Sequence, residues 1–125
     1  MKTHKNLDVC QVAVKLAEDI YGITKSFPKE EVFGLTAQMR RCAISIPSNI
    51  AEGAARHGNK EFIQFLSVAA GSASELDTQL EIAKRVAIGD TRDLGRLQSD
   101  VDRVSMMLQG LIRSVKSNNS RAKRT

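Results

Sequence analysis

The stretch QMRRCAISIPSNIAEG, residues 38–53, opens as an amphipathic helix and then departs from helical convention in several places at once. Arg40 and Arg41 stand side by side. Ser45, Asn49 and Glu52 fall at i, i+4 and i+7, a polar stripe on one face. Pro47 removes a backbone donor in mid-helix, freeing the carbonyl of Ala43 and predicting a kink. So many local exceptions in sixteen residues point to a demand of the fold or of the function.

Outward from this stretch, four helical patterns organise the chain. The first covers residues 7–25, with Asn6 as N-cap and Val9, Val12, Ala13, Leu16, Ile20 and Ile23 as its apolar stripe. A connector follows, with Pro28 at a first-turn position and Gly34 as a left-handed stop. Phe27 and Phe33 are expected to fold back over one end of the core. The second helix covers residues 36–54, with Thr36 as N-cap. The third runs from Asn59, as cap, to about residue 86. Its residues 69–74 are all small, a waist that admits a close neighbour. Ile88-Gly89-Asp90 makes a short turn, and Asp90 caps a fourth helix that frays near Lys116.

No strand pattern competes. The reading is an all-α fold, an antiparallel up-and-down four-helix bundle, with helices of ~18–27 residues and ~27–40 Å. A bundle domain spans residues 1–116 and a disordered basic tail residues 117–125. Any extra apolar surface is expected on the first helix and at the small-residue waist of the third.

Composition agrees with helix-on-helix packing. The 125 residues are 42% hydrophobic and 26% charged, and only 4% aromatic, so aliphatic side chains must fill the core. No apolar run reaches a membrane span and no leader segment is visible. Two cysteines, Cys10 and Cys42, read as reduced thiols of a cytoplasmic chain. Residues 1–112 carry 14 basic and 14 acidic side chains. The net charge of +5 therefore sits in residues 113–125, which hold Arg113, Lys116, Arg121, Lys123 and Arg124 and no acid. Such a tail is either a solubilising terminus or a contact for nucleic-acid phosphates.

Catalytic patterns are missing. There is no Gly-rich phosphate loop and no Cys-x-x-Cys pair, and the two histidines, His4 and His57, offer no Glu-x-x-His pair for a metal. No histidine stands in register with Ser45, Ser72 or Cys42 to activate a nucleophile. The expectation is no enzyme, no metal and no cofactor. Instead, Ser45, Asn49 and Glu52 on the second helix face Ser72, Glu75 and Gln79 on the third, in a structural polar network or a ligand contact. Arg40 and Arg41 point ~100° apart. One is expected to pair with a carboxylate such as Glu75 or Glu31. The other faces water, a nucleic acid or a neighbouring subunit.

Two motifs carry a family resemblance: Phe33-Gly34-Leu35-Thr36 leading through Gln38–Ala43 to Ser45–Gly53, and Lys60-Glu61-Phe62 through Ala70-Gly71-Ser72 to Glu75-Leu76. Over roughly residues 5–115 the chain resembles the small bacterial four helix bundle protein family, also called the 23S rRNA intervening-sequence protein or S23 family. It departs from that family's pattern at Cys42 and at Ile88-Gly89-Asp90. The resemblance implies a four-helix bundle assembled as a ring-like homopentamer. A related branch, the accessory variability proteins of diversity-generating retroelements, forms a basic pentamer that binds nucleic acid and a reverse transcriptase. The charge pattern and the resemblance together leave two functional expectations. One is a scaffold binding RNA or DNA through Arg40, Arg41, Arg56, Lys60, Arg121, Lys123 and Arg124. The other is a protein-interaction scaffold with no nucleic-acid contact. Few aromatics mean little base stacking, so any binding is expected to tolerate sequence.

Overall fold

The structure, a computed structural model, describes residues 7–124, with side chains described as far as 118. It is all-helical, with four long helices: α1 (Asp8–Thr24), α2 (Leu35–Ala54), α3 (Asn59–Arg85) and α4 (Thr91–Arg124). A single 3-10 turn, Lys29–Glu31, lies between α1 and α2. The helices pack in a closed circuit, α1 on α2, α2 on α3, α3 on α4 and α4 on α1.

Each helix buries the stripe its periodicity defines. Ala13, Leu16 and Ile20 of α1 meet Met39, Ala43, Ile46 and Ile50 of α2. Leu66, Ala73, Leu76 and Leu80 of α3 and Leu94, Leu97, Val104 and Leu108 of α4 complete one continuous core. Burying each such Leu or Ile stabilises the fold by about 1.5–3 kcal/mol before entropy is counted. Pro47 lies inside α2, which continues through it as one helix.

The helix ends differ from the sequence reading. Asn6, read as the first cap, lies outside the described residues. Thr36 does not cap α2: it sits inside the helix and is buried. Gly34 precedes the helix at φ −110°, not in the left-handed region. The carboxylate of Glu31 takes the capping role, accepting the Leu35 amide at 3.1 Å. Asn59 is the first residue of α3, and Gly58 occupies the cap position without a side-chain bond. Only Phe27 covers the core, at 7% exposed; Phe33 is 94% exposed. Phe33 lies in the short segment between the 3-10 turn and α2. The backbone of α4 stays helical to Arg124, past the Lys116 end read from the sequence. No proline or glycine interrupts residues 116–124, so nothing local stops the helix.

Two ends of the α3–α4 connection close with recognisable hydrogen bonds. Ile88 N–H reaches Ala83 O at 2.9 Å and Ala87 N–H reaches Lys84 O at 3.2 Å, a Schellman closure. Ala87 accordingly takes φ 58°. Gly89 follows at φ 87°, and a Cβ there would stand 3.0 Å from the Phe27 ring. Asp90 Oδ1 then accepts the amides of Arg92 at 2.9 Å and Asp93 at 3.1 Å, as an N-cap should. Asp90→Ala is expected to lower stability by about 1 kcal/mol, whereas Asp90→Asn keeps most of it. Thermal unfolding of the three proteins side by side checks this.

Candidate functional site

The polar residues of the α2–α3 seam fall into two groups. In the first, Ser45 Oγ and Ser72 Oγ share a hydrogen bond of 2.8 Å across the interface. The Asn49 amide donates to Ser45 O at 2.8 Å and to Ser45 Oγ at 2.9 Å. One local back-bond thereby orients the hydroxyl that bridges the helices. In the second, the Gln79 amide donates at 3.5 Å to both Cys42 Sγ and Glu75 Oε2. Gln79 Oε1 is buried without a partner. Glu52 belongs to neither group. It is half exposed and pairs with Arg56 at 3.3 Å, because it points to the solvent side of α2 while its neighbour Gly53 faces α3.

Chemistry at Cys42 is suppressed. Burial pushes its thiol up to about 11, with help from the hydrogen bond and charge of Glu75, and against smaller opposing effects of Gln79 and Arg41. A thiol so seldom ionised is a poor nucleophile. Cys10 is also raised by burial, and its thiol points to Pro47 O at 4.0 Å. Both cysteines are free and buried. Among the described residues no group of His, Cys, Asp and Glu could hold a metal ion. Nor is any helix long and apolar enough to cross a membrane.

The two adjacent arginines part company. Arg40 pairs with neither Glu75 nor Glu31. Its Nε donates to Thr24 Oγ1 at 2.8 Å, its Nη2 reaches Tyr21 O at 3.5 Å, and its guanidinium lies 4.5 Å above the Tyr21 ring. Glu31 instead accepts the Leu35 amide at the start of α2. Arg40 is thus a clasp between α1 and α2. Arg41 is exposed, near enough to Cys42 for its charge to act on that thiol.

The remaining cations lie elsewhere. Arg56 lies 5.0 Å over the Phe65 ring, with Glu52 at 3.3 Å and Glu61 at 4.0 Å, so carboxylates already offset its charge. Lys60 is exposed in the first turn of α3. Arg113 and Lys116 are exposed on α4. Arg121, Lys123 and Arg124 follow on the same helix, and their side chains lie outside the described residues.

Two features had no signal in the sequence. The Tyr21–Thr24–Arg40 clasp joins residues 16 and 19 apart that share no helix. The second is a bridge from α3 to α4: Lys84 Nζ donates to Gln98 Oε1 at 3.0 Å and Gln98 Nε2 donates to Glu81 Oε1 at 3.2 Å. Hydrogen bonds from Arg85 and then Gln98, with the charge of Lys84, hold the Glu81 carboxyl below its usual range.

Exposed apolar side chains occur on every helix and before α2, the most exposed being Phe33 and, on α4, Met106. Ile44, Val68 and Ile82 remain about half exposed. Val68, Glu75 and Ile82 recur every seven residues and share one face of α3. Val14 and Tyr21 leave a smaller exposed patch on α1.

Known proteins place this architecture. A solved protein of unknown function from the S23 ribosomal protein family of Bacteroides thetaiotaomicron VPI-5482 has a similar fold, with a TM-score of 0.77 and 24% identity. The match covers 84% of this chain and 95% of that one. No curated protein matches the chain. The family model described as 23S rRNA-intervening sequence protein matches residues 5–110, which include both sequence motifs and the whole α2–α3 seam. The chain belongs to the 23S rRNA-intervening sequence protein family.

Proposed function

We propose that this protein is a non-enzymatic, oligomeric helical scaffold that binds RNA or DNA through the acid-free end of α4. The observation that carries this reading is the division of charge. Residues 1–112 are balanced, with 14 cations and 14 acids, while residues 113–125 hold five cations and no acid. Exposed Arg113 and Lys116 begin that segment on a helix that continues to Arg124. Exposed Arg41 and Lys60 are the supporting contacts. Arg40 lies apart from these contacts, half-buried between α1 and α2, and Arg56 is withdrawn from the role by its two carboxylates.

The finer architecture is an antiparallel up-and-down bundle in a ring of five. Three cross-contacts of α2 with α3 support the antiparallel part: Gly53 lies against Phe62, Ser45 meets Ser72 and Cys42 meets Gln79. Exposed Ile44, Val68 and Ile82 offer a face for subunit contact. Five copies of a +5 chain would present about +25, enough for salt-sensitive phosphate binding. Light scattering reads the copy number directly.

The test is binding of unrelated RNA and DNA oligonucleotides at low and at moderate salt. Affinity is expected to fall at least about tenfold between the two. A variant with Arg113, Lys116, Arg121, Lys123 and Arg124 all changed to Gln is expected to lose most of it. No binding at low salt rejects the reading. A protein-interaction scaffold, for a partner such as a reverse transcriptase, is the second reading. Phe33, almost wholly exposed beside half-exposed Val32, favours it. Capture of one specific protein, unchanged by nuclease, would support that alternative.

A further inference from the structure

A cavity of about 400 Å³ opens between the last turn of α1 and the start of α2. Lys25, Lys29 and Arg40 line it, and no carboxylate does. Lys15, Arg56, Lys84, Arg85 and Arg96 stand in ion pairs, whereas Arg41, Lys60, Arg92, Arg103, Arg113 and Lys116 stand in none among the described residues but are spread over the surface rather than gathered at one cavity. Among the described residues Lys25, Lys29 and Arg40 form none. Arg40 is only partly exposed, so its charge is partly desolvated without a carboxylate to balance it. Its clasp with Thr24 and Tyr21 uses Nε and one Nη2 hydrogen, which leaves three of the five guanidinium N–H groups for another acceptor.

Thr36 supplies an independent observation. It is 5% exposed, lines the same cavity, and its hydroxyl has no hydrogen-bond partner among the described residues. The other buried threonine, Thr24, satisfies its hydroxyl on Ile20 O at 2.7 Å. The Thr36 hydroxyl, unpaired within the chain and lining the cavity, is thus free to donate to an acceptor seated beside the three cations. Phe27, Pro28 and Val32 complete the lining and give it an apolar part.

We propose that this cavity binds a small phosphomonoester with a flat apolar body. The phosphate dianion supplies three acceptor oxygens for Arg40, Thr36 and the two lysines. The apolar body lies against Phe27, Pro28 and Val32. A carboxylate carries half the charge and fewer acceptor positions, and fits three cations less well. This site is separate from the α4 segment and does not depend on nucleic-acid binding there.

Isothermal titration of the full chain with phenyl phosphate tests the assignment, beside inorganic phosphate, benzoate and phenol. Phenyl phosphate is expected to bind saturably at one site per chain, more tightly than the other three, and more weakly as salt is added. Thr36→Val keeps the side-chain shape and is expected to weaken binding about tenfold, the effect of one lost charge-assisted hydrogen bond. Lys29→Gln, at an exposed position, is expected to weaken it severalfold. Circular dichroism of both variants should match the unmodified chain. The proposal is overturned if phenyl phosphate gives no saturable binding, or if both variants bind it unchanged. Benzoate binding more tightly would overturn the phosphate assignment, and equal binding of inorganic phosphate would overturn the apolar part. Arg113→Gln with Lys116→Gln should leave this binding intact; its loss there would place the ligand on α4 and overturn the proposal as well.

Discussion

Gly53→Val is expected to destabilise the bundle by about 3 kcal/mol, the upper part of the range for overpacking a closed interface. An added Cβ at Gly53 would stand 2.7 Å from Phe65 Cβ, 3.0 Å from Phe62 Cδ1 and 3.3 Å from Phe62 O. Two of these atoms cannot swing away, since one is a Cβ and the other a backbone carbonyl. Relief requires α3 to move off α2, and that would also strain the Ser45–Ser72 bond further along the seam. Even Gly53→Ala is expected to destabilise. The sign is the diagnostic, because Gly→Ala inside an exposed stretch of helix ordinarily stabilises by up to about 1 kcal/mol. Gly71 on α3 provides the control, being exposed with nothing within 4 Å of its Cβ position. Urea unfolding should therefore show Gly71→Ala gaining stability while Gly53→Ala and Gly53→Val lose it. Equal behaviour of the two alanine variants would contradict the close packing at Gly53.

That contrast also shows where sequence reasoning reaches its limit. Six small residues, 69–74, suggested where a neighbour would come close, yet the tightest glycine contact is at Gly53 against the Phe62 and Phe65 of α3. Within the run, Ala69 and Ala73 face the core while Gly71 faces outward, so smallness alone did not say which helix faces which gap. The four helices were legible because each carries a long apolar stripe at a period of 3.6, and burial repeats that stripe almost residue by residue. Helix ends were less so. Asp90 reads correctly, because its side-chain oxygen needs only the two amides that follow it in the chain. Thr36 misleads, because Glu31 reaches the Leu35 amide first and leaves the threonine inside.

The candidate site follows the same rule. Ser45, Asn49 and Ser72 lie where helical spacing places them, since the first two share a face and the third meets that face. The divergence of Arg40 from Arg41 is likewise a consequence of ~100° per residue. The partner of Arg40 is not, because Tyr21 and Thr24 come from another helix and are polar groups with no charge to advertise them. Phe27 and Phe33 differ for a similar reason. Both are apolar, but only Phe27 is placed to lie under the Gly89 turn.

The pH profile of stability tests the chemistry of the seam. Cys42 has an ordinary thiol value of 9.0 when unfolded and about 11 when folded, first because it is buried and then because Glu75 disfavours the thiolate. Between those values the unfolded chain binds fewer protons than the folded one. Stability contributed by the neutral thiol is therefore complete below about pH 9, declines as pH rises, and is lost once pH passes about 11. A shift of this size corresponds to about 3 kcal/mol at most. The comparison must be with Cys42→Val, which keeps every other ionisable group and removes only this proton. The stability difference between the two proteins is expected to be flat up to about pH 9 and then to shift in favour of the valine by up to about 3 kcal/mol. A difference that stays flat through pH 11 would mean that Cys42 ionises as readily inside the bundle as outside it. That result would require water or a cation to reach the thiol, and would reopen the seam to nucleophilic chemistry. The expected slope instead makes Cys42 a neutral packing element, which leaves Ser45, Asn49 and Ser72 to set the register of α2 on α3.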